Sequence, residues 1–169
     1  MNVAIRSLIV AGLMLAPSAA GQSPTPPGQP PTEASVAQTP LGRWKFETGM
    51  VTPNCKLSGE MQVLKAKTTG LYACHFVAVQ SCTGNPPMEF HVQQTCIATQ
   101  TGKQVIITSA IDKILSAKPA ALLPLVKSGY AADNFDVTLN PVGSEMRGMF
   151  HSLNQATVRF WRPHNDLVS

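Results

Sequence analysis

Four cysteines, Cys55, Cys74, Cys82 and Cys96, fall inside one stretch of alternating apolar and polar residues. An even number of cysteines among strands reads as two disulfides, and a disulfide forces its two strands to be neighbours in a fixed register. Hairpin arithmetic then suggests the partners. Around a turn at Asn85, facing residues have numbers summing to about 170, which brings Cys74 to Cys96. Around a turn at Thr69 the sum is about 135, which places Cys55 opposite Gln80 and a short shift from Cys82. The expected pairing is Cys74–Cys96 and Cys55–Cys82; a bulge would move the register, and the other two connectivities stay open. Each bridge would contribute about 2–4 kcal/mol. Zinc or redox cysteines need close pairs such as Cys-x-x-Cys, and these spacings are wider, so all four cysteines read as structural staples and no metal site is expected.

The compartment expectation agrees with that use of cysteine. Arg6 precedes the apolar run Leu8–Pro17, and Ser18-Ala19-Ala20 offers small residues before a cut at Gly21. This reads as a signal peptide over residues 1–20, with the chain exported to a bacterial periplasm or secreted. The run is too short for a permanent membrane span, and no second long apolar run follows. Residues 21–40 carry Pro24, Pro26, Pro27, Pro30, Pro31 and Pro40 and little to bury, so they read as a disordered Pro-rich tail. Residues 41–169 then form a single domain. Loss of Arg6 lowers the formal net charge from +4 to +3. The basic side chains are scattered (Arg43, Lys45, Lys56, Lys65, Lys67, Lys103) without aromatic interleaving, so no nucleic-acid partner is expected despite a pI near 9.0.

Within the domain, alternation predicts strands over Arg43–Glu47, Cys55–Val63, Leu71–Cys82, Met88–Ala98, Lys103–Ser109, Phe135–Leu139, Glu145–His151 and Ala156–Arg162. Turn chemistry separates them, and Gly148 marks a bulge or a close approach of backbones. Between the fifth and sixth strands the rhythm breaks. Ile111, Ile114 and Leu115 have helical spacing, and Pro119 can open a second short helix carrying Leu122, Leu123 and Val126, which Pro124 would kink or end. The expected fold is all-β with one or two short helices: an eight-stranded antiparallel meander closed into a small barrel.

Gly42-Arg43-Trp44 opens the first strand, and Arg162 lies on the last strand with Val158 and Phe160 on its face. A Gly-x-Trp there with a terminal-strand arginine resembles the calycin group: lipocalins, avidins and the small bacterial metalloprotease inhibitors of the Inh type. The resemblance implies barrel closure by Trp44, with Arg162 packed over it in a cation–π contact of about 0.5–2 kcal/mol. For the Inh-type inhibitors it also implies an N-terminal segment that enters a protease cleft. Two features depart from these families: the helical stretch lies between strands five and six rather than after strand eight, and the second disulfide is extra.

No catalytic constellation is expected. There is no Gly-x-Ser-x-Gly and no Gly-rich phosphate loop, and His75, His91, His151 and His164 are dispersed. Met146, Met149 and His151 suggest a soft-metal set, but strand parity separates Met146 from the other two. The chain is therefore read as a monomeric, non-enzymatic binding protein without cofactor. Phe76, Met88, Phe90, Val137 and Phe150 would line or fill the barrel around a small apolar or amphipathic ligand. The alternative is a proteinaceous inhibitor of an exported protease.

Overall fold

A computed structural model describes residues 38–163. The expected signal peptide, most of the Pro-rich tail and His164 lie outside the described residues. Eight antiparallel strands close into a barrel in sequence order: β1 (Gly42–Thr52), β2 (Cys55–Lys65), β3 (Leu71–Cys82), β4 (Met88–Thr101), β5 (Gln104–Lys118), β6 (Asn134–Leu139), β7 (Glu145–His151) and β8 (Gln155–Trp161). Between β5 and β6 stand a single 3₁₀ turn at Ala120–Leu122 and one short helix, α1 (Leu123–Gly129). The eight-stranded meander is thus the observed fold, and the architecture is consistent with a calycin-like barrel.

Both disulfides join the expected partners. Cys74 faces Cys96 on β3 and β4, and Cys55 faces Cys82 on β2 and β3. The β3–β4 register follows the arithmetic directly, whereas β2 and β3 pair two residues further along than expected, with Cys55 opposite Cys82 and Leu57 opposite Gln80. The connection between β2 and β3, residues 66–70, is centred one residue later than the expected register implies, and Gly70 takes a φ of 78° there. Two disulfides fit an oxidising, extracellular-type environment. Among the described residues no helix is long and apolar enough to cross a membrane.

Alternation sends one face of every strand inward. Trp44, Phe46, Leu57, Met61, Val63, Phe76, Ile107, Phe135, Leu139, Met146 and Phe160 are all almost completely buried. Phe135 sits among four rings, with centroids 5.4 Å from Phe46, 5.8 Å from Phe76, 5.8 Å from Phe150 and 5.1 Å from Phe160. Each such tilted or edge-on pair adds about 0.5–1.5 kcal/mol beyond burial. This packing needs close backbones on one side. A Cβ on Gly148 would stand 1.9 Å from the Asp136 carbonyl oxygen, so Gly148 is a close approach rather than a bulge, and β7 pairs regularly with both neighbours.

Register breaks are repaired locally. A shift in the β1–β2 ladder after Glu47 falls beside Leu57, and the buried Thr48 hydroxyl accepts from Leu57 N (2.9 Å) and donates to Leu57 O (3.2 Å). An unpaired buried amide would cost about 1–3 kcal/mol, which explains a hydroxyl in the core.

The helical reading of Ile111, Ile114 and Leu115 is corrected by the structure. These residues continue β5, which pairs with β4 as far as Lys118. Register shifts between His91 and Val92 and between Gln93 and Gln94 interrupt the ladder. Such bulges break the period of two, so three β-strand residues mimic helical spacing. Pro124 is also corrected: it neither kinks nor ends α1 but occupies its first turn, where a missing N–H costs nothing. β5 pairs with β6 only over Gln104–Ile107. The β4–β5 ribbon therefore runs well past the start of β6, and the turn and helix return the chain along it, with Val126 buried.

Candidate functional site

The two ends of the barrel differ. At one end β1 begins and β8 finishes, and the side chains there tie the chain down. Trp44 Nε1 donates to the Pro40 carbonyl at 2.7 Å, and the Arg162 guanidinium lies 4.2 Å from the Trp44 ring centroid. Arg162 also donates to the carbonyls of Gly143 (2.7 Å), Leu41 (2.8 Å) and Thr39 (3.4 Å), while Gln100 Nε2 donates to Gln38 O at 2.7 Å. Gly42 is required in this corner: its φ is 106°, and a Cβ would meet Arg162 Nη1 at 2.6 Å. Arg159 and Trp161 face outward and contact each other, at 5.6 Å from guanidinium to ring.

The opposite, loop end carries the β1–β2, β3–β4 and β7–β8 turns and α1. Beside α1 opens a cleft of about 400 Å³ lined by Val51, Phe90, Leu125, Val126, Phe150 and Leu153 on its apolar side, and by Tyr130 and Asp133 on its polar side. Its volume lies within the range of small-molecule sites. Leu125 and Leu153 stand at the rim 68% and 77% exposed, unusual positions for large apolar side chains.

The polar wall is a closed hydrogen-bond network. Gln94 points into the barrel from β4 and is fully buried, and Asp133, just before β6, is 2% exposed. The Gln94 amide donates to Asp133 Oδ2 at 2.5 Å and accepts from Asp133 N at 3.0 Å. Tyr130 OH donates to the same Oδ2 at 2.9 Å. Ser109 Oγ, 3.0 Å from Gln94 Oε1 and 2.5 Å from the Asp133 carbonyl, links β5 to the network. Burial pushes the Asp133 carboxyl up to about 6 from the ordinary 3.8, against the opposing pull of the Tyr130 and Gln94 donors. Burial and the neighbouring Asp133 carboxylate push the Tyr130 phenol well above its usual range.

The sequence-predicted lining residues divide between core and rim. Phe76 and Val137 are core, sealed within the ring cluster and the strands. Phe150 belongs to both, packing on Phe135 and flooring the cleft. Phe90 walls the cleft, and Met88 lines a neighbouring cleft beside the Cys55–Cys82 bridge. Phenylalanine rings fill the barrel axis, where a ligand was expected to sit.

Tyr130, Gln94 and Asp133 were not singled out from the sequence. Gln94 carried a readable signal, as an amide at an inward position between Val92 and Cys96, since a buried amide requires partners. Nothing local points to Asp133, 39 residues away.

The described histidines stay apart. His91 Nε2 lies 2.9 Å from Glu89, which also pairs with Lys118. His151 Nε2 is 3.3 Å from Asp136 Oδ2 without hydrogen-bond geometry. His75 is exposed on the outer face of β3. Met146 is buried, whereas Met149 is exposed on the other face of β7. Among the described residues no three histidine, cysteine, aspartate or glutamate side chains converge as a metal site. No protein-family model matches the chain, and no curated protein matches it.

Proposed function

We propose that the chain is an exported, non-enzymatic binding protein that takes a small apolar or amphipathic molecule at the loop end of the barrel. The observation that carries this reading is the 400 Å³ cleft, with its apolar walls and its exposed Leu125 and Leu153. Phenylalanine rings packed along the barrel axis leave this rim as the better-supported place for a ligand. The neutral fluorescent probe N-phenyl-1-naphthylamine tests it. Saturable one-to-one binding is expected, weakened about tenfold by the double variant Leu125→Ser/Leu153→Ser, because each apolar methylene left without cover costs about 0.8 kcal/mol. Absence of saturable binding refutes the reading; binding that ignores the double variant refutes the location.

A second reading, inhibition of an exported protease, is favoured by the pinned backbone at the other end. Trp44, Gln100 and Arg162 hold the carbonyls of residues 38–41 and so fix where the N-terminal segment leaves the barrel. Deletion of residues 21–37 should abolish any inhibition; inhibition that survives the deletion refutes a tail mechanism.

A further inference from the structure

We infer that the ligand of the loop-end cleft carries a cationic headgroup, an amine or ammonium on an apolar chain. The inference rests on the cleft being the binding site. Its support is a mismatch of charge. Among the described residues the cleft is lined by one carboxyl, Asp133, one phenol, Tyr130, and no lysine or arginine. The carboxyl is 2% exposed and its hydrogen-bond donors, Gln94 and Tyr130, are both neutral.

Among the described residues, α1 carries Lys127, which is exposed and outside the cleft lining, and no cation acts on the carboxyl. β4 contributes Gln94, β5 contributes Ser109, and Asn134 follows on β6 with its Oδ1 turned to Ser109 N. On β7, His151 stands opposite Asn134 but directs its Nε2 toward Asp136. A buried carboxylate held only by neutral dipoles is a charge without a counter-charge, and an opposite charge within about 4–6 Å stabilises such a group strongly. Protein cations do not fill that role here, so a ligand can. Its chain would lie along Phe90, Phe150, Leu125 and Leu153, with the head toward Tyr130 and Asp133. Because the carboxyl itself is buried, the attraction acts through a dielectric lower than that of water. The elevated proton affinity of Asp133 agrees with this, since the group lacks the cation that would depress it.

Displacement of N-phenyl-1-naphthylamine by three ten-carbon compounds below their aggregation limits tests the inference: decylammonium, decanol and decanoate, at pH 7.5. Decylammonium should displace the probe at about tenfold lower concentration than decanol, and decanoate should be weakest. In Asp133→Asn the amine should lose its advantage over decanol. Lowering the pH of the unaltered protein from 7.5 to 5 should shrink the same advantage, a readout that does not depend on the variant folding. Equal displacement by all three compounds, a preference for decanoate, or an amine advantage that survives both Asp133→Asn and pH 5 overturns the headgroup assignment and leaves the cleft intact. Failure of the probe to bind overturns the cleft and the headgroup together.

Discussion

Replacing Asp133 by asparagine should remove a pH dependence that the buried carboxyl imposes on folding. In the unfolded chain this group titrates near 3.8; in the barrel, burial raises it to about 6. Below 3.8 both states hold the proton and the carboxyl is accommodated at no electrostatic cost. Between these values the folded protein keeps a proton that the unfolded chain releases, so stability falls as pH rises, by up to about 1.4 kcal/mol per pH unit. Above about 6 the loss is complete and amounts to about 3 kcal/mol. Asparagine keeps an oxygen that can accept from Tyr130 and Gln94 while removing the charge. At pH 7.5 the variant should therefore be more stable than the parent by about 1–3 kcal/mol, the lower figure allowing for weaker hydrogen bonds to a neutral acceptor.

Urea unfolding followed by the fluorescence of buried Trp44, with disulfides intact, measures this between pH 4 and 8. The quantity that matters is the difference between the two proteins at each pH. Glu89, held low by His91 and Lys118, and Glu145, held low by Arg147 and Arg159, titrate alike in both and cancel. A difference that is flat across pH 4–7, or that grows in the opposite direction, would show that Asp133 is not held protonated by burial and would refute the reasoning.

Two further perturbations probe the scaffold. Arg162→Lys keeps the charge but loses the planar fork that reaches Gly143, Leu41 and Thr39, and should lower stability by about 1–3 kcal/mol in the same unfolding assay. Gly148→Ala forces a Cβ onto the Asp136 carbonyl, and the cost should exceed about 3 kcal/mol, read as a sharp drop in thermal midpoint or in folded yield.

The disulfides, the strand count and the inward faces were legible because short antiparallel hairpins turn sequence distance into spatial pairing. Cys74 and Cys96 show the rule working; Cys55 and Cys82 show its tolerance, since a turn displaced by one residue moves every pair by two. Ile111–Leu115 mimics a helix for a related reason: the extra residues Asp112 and Leu115 in β5 erase the alternation that identifies a strand. The filled interior was not legible either, because parity says which residues point inward but not whether their volumes meet along the axis. The Gln94–Asp133 contact lay furthest out of reach. It joins a strand to a connector across 39 residues, and no local period encodes such a pairing.

The uneven strand lengths have a consequence for edge-to-edge pairing. From Ala110 onward β5 is laddered to β4 on one side, while its pairing with β6 stops at Ile107. A strand flank of that length, carrying half-exposed Ile111 and Leu115, is the type of template on which β-rich proteins aggregate. The chain places Asp112 and Lys113 in the middle of it, and the register shifts in the β4–β5 ladder twist the ribbon away from flatness. The irregularity that disguised this segment in the sequence also protects it: a bent, charged ribbon offers a second copy no straight run of backbone to add to.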